Sequence, residues 1–149
     1  MAVADHYQSL YRDLVLAHAR EPRHAAPLPP PCLRAEARNL LCGDSIGISL
    51  KLDTHGRIAA IGHASEGCVL CVASASLMCE HVLGSDRAAV TLAHAALQPL
   101  LQGDAQGSDA ALGDLAALAG VAAYPSRRRC VLLPWEALLQ ALAQDAAAA

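Results

Sequence analysis

At 149 residues the chain has the length of one ordinary domain, which buries roughly two-thirds of its unfolded surface on folding. Its 54% hydrophobic content leans on alanine, aromatics make up 3% and phenylalanine is absent, so the expected core is built from Leu, Val and Ile. A formal net charge of -3, with no basic run longer than Arg127 to Arg129, supplies no field for nucleic acid and argues against it as a partner.

Met1 to Leu14 lacks the basic start, apolar run and small-residue cleavage site of a secretory signal, and no stretch approaches 18 uninterrupted apolar residues. The expectation is a cytoplasmic protein with no membrane partner. Six cysteines in such a chain should stay reduced, which makes metal or sulfur chemistry a better reading than disulfides.

The first predicted element is a helix over 5–20, capped by Asp5, in which Tyr7, Leu10, Tyr11, Leu14 and Val15 form one apolar face until Glu21-Pro22. Pro27, Pro29, Pro30 and Pro31 then remove backbone donors, so 27–31 reads as an extended linker that leaves the helix mobile against the body. A short strand is expected around Ala35 to Leu41. From Asp44 the period becomes two: Ile46, Ile48, Leu50 and Leu52 alternate with Ser45, Gly47, Ser49 and Lys51, which predicts a strand with one buried face. Asp53-Thr54-His55-Gly56 is a turn, and Arg57 to Ala64 returns as the second arm of a hairpin.

After Gly67 the period is helical, with Val69, Val72, Ala73, Ser76 and Leu77 on one face and Gly84 as the stop, placing Cys68 at a helix N-terminus. Ser85 or Asp86 opens another helix running toward Gln102-Gly103, kinked or cut short at Pro99. A short piece over Asp109 to Leu118 follows. The last helix is expected to begin between Cys130 and Pro134, with the proline in its first turn, and to fray over 145–149. The whole reads as a single α+β domain over 1–149: a small antiparallel sheet of about three strands followed by several helices.

Four side chains carry the chemistry. Cys42 and Asp44 flank Gly43 and point to one side of extended backbone, Cys68 follows Glu66-Gly67, and Cys130 follows three arginines. Each position is expected to present its group rather than bury it. Together they offer three sulfurs and one oxygen, a full tetrahedral shell for zinc or iron. Taken alone, Cys-Gly-Asp reads first as a turn entering a strand, Cys68 equally as a small hydrophobe under a cap, and Cys130 equally as a bystander in a basic loop. The helix start at Cys68 and the arginines before Cys130 favour thiolates. Cys71 makes a C-x-x-C with Cys68, the spacing of a redox dithiol, although no parallel βαβ pattern surrounds it. Cys79 reads as core, Cys32 as an exposed bystander, and the seven histidines as surface or packing residues, with His18 the one of interest.

These residues resemble the U-type iron-sulfur assembly proteins, the family of IscU and the N-terminal part of NifU. The likeness covers nearly the whole chain: Leu10-Tyr11-Arg12 with His18 and Pro22-Arg23, Cys42-Gly43-Asp44, Glu66-Gly67-Cys68 with Ala73-Ser74-Ala75-Ser76, Leu112-Gly113-Asp114, Leu118-Ala119-Gly120-Val121, Tyr124-Pro125 and Arg129-Cys130. The long insert of about 103–120, Arg129 where IscU-like members carry a histidine, and the missing Leu-Pro-Pro-Val-Lys segment place it with the SufU branch.

The resemblance implies a SufE/NifU-like α+β fold in which Cys42, Asp44, Cys68 and Cys130 meet at one exposed edge and bind zinc, supported by Gly43, Gly67 and Arg129. It also implies Cys130 as acceptor of persulfide sulfur from a SufS-type cysteine desulfurase, for passage to downstream cluster assembly proteins. IscU-like relatives instead hold iron in a nascent [2Fe-2S] cluster, which stands as the alternative. Cys71, usually another residue type in the family, is where this chain departs, and it suggests an extra sulfur acceptor or a competing ligand.

Overall fold

The computed structural model describes residues 12–41, 43–104 and 112–148. The expected cap at Asp5, the start of the first helix, Cys42, and residues 105–111 of the insert lie outside the described residues.

Three strands form one antiparallel sheet in the order β1 (Leu33–Asn39), β2 (Asp44–Leu52), β3 (Ile58–Glu66), with β2 at the centre. The hairpin register pairs Ile46 with Ser65, Ile48 with His63 and Leu50 with Ile61, which sets those residues on one face. Asp53 Oδ1 closes the turn by accepting the N–H groups of His55 at 2.8 Å and Arg57 at 3.0 Å, and these bonds hold its carboxyl below the ordinary value. Gly56, at φ +76°, takes the left-handed position the turn requires.

Helical residues 12–20 form α1. The remaining helices are α2 (Val69–Val82), α3 (Arg87–Leu101), capped by the Asp86 carboxylate on Ala89 N–H, and α4 (Arg128–Ala148). Tight 3-10 turns over Gly113–Ala123 and Pro125–Arg127 lead into α4. α4 lies against β1 and β2, α2 against β3 and α4, and α3 against the 3-10 stretch. Between them sits an aliphatic core with Trp135 as its one large aromatic among the described residues, fully buried near the His94 ring. No helix among the described residues is long and apolar enough to cross a membrane.

The sheet and α2 are formed where the alternation and the Gly67-Cys68 boundary predict them, but other expectations are corrected. α4 begins at Arg128 instead of between Cys130 and Pro134, because the turn over Pro125–Arg127 feeds straight into it. Pro134 is therefore an interior proline with no N–H for the Cys130 carbonyl four residues back. Beside this break, Ser74 Oγ donates to the Val131 carbonyl at 2.6 Å. Of the two alternatives for Pro99, the early end is excluded, since α3 runs past it to Leu101 as its expected extent requires. Of the piece expected over Asp109 to Leu118, residues 109–111 lie outside the described residues, and the rest joins a 3-10 stretch over Gly113–Ala123.

Ser49 was expected on the outward face of β2 and is buried. The stretch after α1 covers it: Leu28 N–H donates to Ser49 Oγ at 2.8 Å, and His63 N–H donates to the His24 carbonyl at 2.8 Å along the β3 edge. Gly62 makes that crossing possible, since a Cβ there would come within 2.1 Å of the Ala26 carbonyl oxygen. Two buried histidines secure the same stretch. His18 of α1 meets Ser76 Oγ through Nδ1 at 2.6 Å, while Arg23 N–H donates to that oxygen at 2.8 Å. His63 Nε2 donates to the Arg23 carbonyl at 2.9 Å, and its Nδ1 lies 2.8 Å from Ser65 Oγ.

Gly62→Ala should force the strap off the sheet at a cost of about 1–3 kcal/mol. A lowered urea midpoint with faster proteolysis between 21 and 31 is the expected readout, and an unchanged midpoint would show that the strap contributes nothing. Burial lowers the His63 pKa from 6.5, so the unfolded chain binds more protons than the native one just below that pH. The histidine's contribution is complete above pH 6.5 and is lost as the pH falls through 6.5 toward the native value. Urea midpoints should therefore drop between about pH 7.5 and pH 5.5, less steeply in His63→Gln; equal slopes would exclude a buried neutral imidazole.

Candidate metal centre

Ligand-bearing groups converge where the open end of β2 meets the start of α2. Asp44 is the first residue of β2, paired with Asn39 of β1. The Asn39 carbonyl accepts Gly43 N–H at 2.8 Å and the Asn39 side chain accepts Leu41 N–H at 3.1 Å, which ties Leu41 and Gly43 back to the end of β1. Gly43 has φ +77°, a conformation that suits glycine.

Cys68 is the N-cap of α2, with extended φ -71° and ψ 166°. Its N–H donates to Asp44 Oδ1 at 3.0 Å, and its thiol donates to Asp44 Oδ2 at 3.5 Å. One carboxylate thus joins β2 to the helix start. Gly67 leaves room for this contact: a Cβ there would lie 2.6 Å from Asp44 Oδ1 and 2.7 Å from Asp44 Cγ. Cys130, third residue of α4, completes the group, and ligand atoms of Asp44, Cys68 and Cys130 all lie within 4.8 Å of one another.

Of the four expected ligands, the fold brings these three together, and Cys42 lies outside the described residues. Their exposure departs from expectation. Asp44 (3%) and Cys130 (1%) are buried and only Cys68 is partly open. Burial follows from placement, since Asp44 sits beneath Gly67 and Cys130 belongs to the core cluster that α4 closes.

The basic residue against the sulfurs is Arg127. A hydrogen bond with the Cys130 sulfur, and then the neighbouring charge of Cys68, hold its guanidinium above the ordinary pKa. Sequence reasoning picked Arg129, which is exposed, and missed Arg127, which stands three residues, about one helical turn, before Cys130. Arg128 turns the other way and donates from Nε to the Leu101 carbonyl at 3.0 Å.

Comparison with known proteins shows the family and the fold. Residues 10–131 match the model of the NifU-like N-terminal domain. The chain belongs to that family. It is 32% identical over 138 residues to the zinc-dependent sulfurtransferase SufU of Bacillus subtilis, covering 92% of each chain. It is also 32% identical over 137 residues to the iron-sulfur cluster assembly scaffold protein IscU of Streptococcus pyogenes, covering 92% of this chain and 85% of that one. Among solved structures, the N-terminal NifU-like protein of Brucella abortus superposes with a TM-score of 0.82 at 24% identity over 91% of this chain and 94% of that one, a likeness of fold.

The donor set fits a borderline metal: two sulfurs and a carboxylate already within reach of one centre, the carboxylate oriented by a backbone N–H. Gly67→Ala should push Asp44 out of this orientation and weaken zinc binding by about 10- to 100-fold, measured by competition with a chromophoric chelator. Native-like affinity in a folded variant would show that the Asp44 orientation is immaterial to the metal.

Proposed function

We propose that the chain works in iron-sulfur cluster assembly as a zinc-binding sulfur acceptor, taking persulfide sulfur from a SufS-type cysteine desulfurase in the cytoplasm. The observation that carries this reading is the gathering of Asp44, Cys68 and Cys130, remote in sequence, around one point. Family membership and the likeness to a relative named a zinc-dependent sulfurtransferase support it.

Zinc would be held by Asp44, Cys68 and Cys130 with Cys42 as the fourth ligand, and when bound it supplies a charge that keeps its thiol ligands deprotonated. The remaining chemistry belongs to the chain. Cys130 is the proposed acceptor: its sulfur attacks the outer sulfur of the donor's persulfide, the donor S–S bond breaks, and the donor cysteine departs as a thiolate. Arg127 supplies positive charge beside the Cys130 and Cys68 sulfurs. Because Cys130 is buried, acceptance requires a local movement that opens its sulfur as the donor docks. Leu40, Leu41 and Val69, apolar and exposed on either side of the ligand positions, together with Tyr124, suit the rim of such a docking surface.

A cluster-scaffold role is the second reading, favoured by the relatives named IscU. Anaerobic reconstitution with iron and sulfide separates the two, since a stable chromophore transferable to an apo-protein belongs to the scaffold. For the acceptor role, Cys130→Ala should abolish sulfur uptake from a purified desulfurase, followed with radiolabelled cysteine. Full uptake by that variant would remove Cys130 from the role.

A further inference from the structure

Cys71 is outside the group of three ligand atoms, yet it stands directly behind one of them. The C-x-x-C of this chain occupies the N-cap and N3 positions of α2: the Cys68 carbonyl accepts Val72 N–H at 3.1 Å, opening the helix, and Cys71 is its third residue. N-cap and N3 side chains face one another, the relation a capping box exploits. Cα atoms so related lie in the range a disulfide spans, about 4.4–6.8 Å. The Cys68 thiol donates to Asp44 Oδ2 at 3.5 Å and makes no capping hydrogen bond to the first turn of α2, so pairing with Cys71 requires its side chain to turn from the carboxylate toward N3. Cys71 is fully buried in the core cluster, and Cys68 packs against that cluster while staying partly open. Cys68 is thus the thiol open to arriving reagents and Cys71 the enclosed one. Cys79 makes the contrast, since burial, then the Glu80 charge, push its thiol up to about 12, and no cysteine stands three residues from it.

We propose that Cys71 is a resolving thiol, which lets this chain reduce delivered sulfane sulfur and release it as hydrosulfide. The inference rests on the sulfur-acceptor reading above. Sulfane sulfur on Cys130 first passes to Cys68, whose ligand atom lies within 4.8 Å. The Cys68 sulfur attacks the outer sulfur, the bond to Cys130 breaks, and Cys130 regains its electron pair and a proton. The Cys71 sulfur then attacks Cys68 Sγ. The bond from Cys68 to the outer sulfur breaks, and that sulfur leaves with the bonding pair as HS⁻ while the Cys71 proton passes to water. A Cys68–Cys71 disulfide is left. The two cysteines are oxidised by two electrons, and the sulfane sulfur is reduced from oxidation state zero to sulfide. A dithiol reductant must reopen the disulfide before another cycle. The product is sulfide, the form in which sulfur bridges iron, and Cys68 is withdrawn from the metal ligands until the pair is reduced.

The test uses the metal-free full chain with a purified cysteine desulfurase and cysteine, and no added reductant. The wild type should release about one sulfide per chain and acquire a Cys68–Cys71 disulfide in the peptide map, whereas Cys71→Ser should retain a bound sulfur labile to cyanide and release sulfide at least about tenfold more slowly. Sulfide release from Cys71→Ser at the wild-type rate, or a disulfide joining other cysteines, overturns the proposal. Cys71→Ala, checked by circular dichroism, takes the place of the serine variant if a buried hydroxyl prevents folding. Mild diamide oxidation of the metal-free chain examines the thiol pair without a sulfur donor. A Cys68–Cys71 disulfide there, with no sulfur uptake from the desulfurase, would locate the failure in the acceptor reading; absence of that disulfide overturns the resolving-thiol proposal itself.

Discussion

The Asp44 carboxylate holds the functional end of the molecule together. A carboxylate that is 3% exposed is tolerated only when its oxygens are supplied with donors, and here Cys68 provides both a backbone N–H and a thiol. That contact fixes where α2 starts relative to β2. It also explains why Gly67 precedes the cysteine, since any side chain at 67 would enter the space the carboxylate fills. The same oxygens that orient Cys68 are placed to bind an ion with it, so the local structure and the chemistry share one set of atoms.

The rest of the domain makes that junction rigid with little aromatic material. Packing falls to Ile46, Ile48, Leu50, Leu77 and the leucines of α3 and α4, with Trp135 filling the largest gap. Several polar groups inside this core are joined in specific pairs, while His18 Nε2 and Trp135 Nε1 are buried with no hydrogen-bond partner among the described residues. Ser74 supplies a donor beside the break Pro134 makes in α4, Ser49 secures the strap, and His18 and His63 link α1 and the strap to α2 and β3. Each of these bonds joins segments far apart in sequence, and His18 and Arg23 are tied through Ser76 to the same helix whose N-cap, Cys68, belongs to the site.

Environment sorts the cysteines into different roles. Cys79 is sealed in the core and made unreactive by desolvation. Cys32 is half-exposed, with Arg34 Nε 3.1 Å from its sulfur and no ligand group assigned beside it. Cys68 and Cys130 share a carboxylate and a guanidinium, and Cys71 is one helical step behind Cys68.

Alternation and helix-start signals were sufficient for the sheet and for α2, because Ile46, Ile48 and Leu50 can share only one face of a strand and Gly67-Cys68 ends that period abruptly. Ordered motifs identified the family and named the ligand types. What local pattern does not contain is which chain segment covers which face. Ser49 is buried because residues 24–28 cross over it, α4 starts early because a 3-10 turn runs into it, and Arg127 rather than Arg129 meets the sulfurs because one helical turn separates it from Cys130. The approach of Asp44, Cys68 and Cys130 to within 4.8 Å spans 86 residues of chain, from 44 to 130. Residue types could propose that meeting, but only packing α2 and α4 against one sheet decides it, since the distance depends on contacts that no short stretch of sequence encodes.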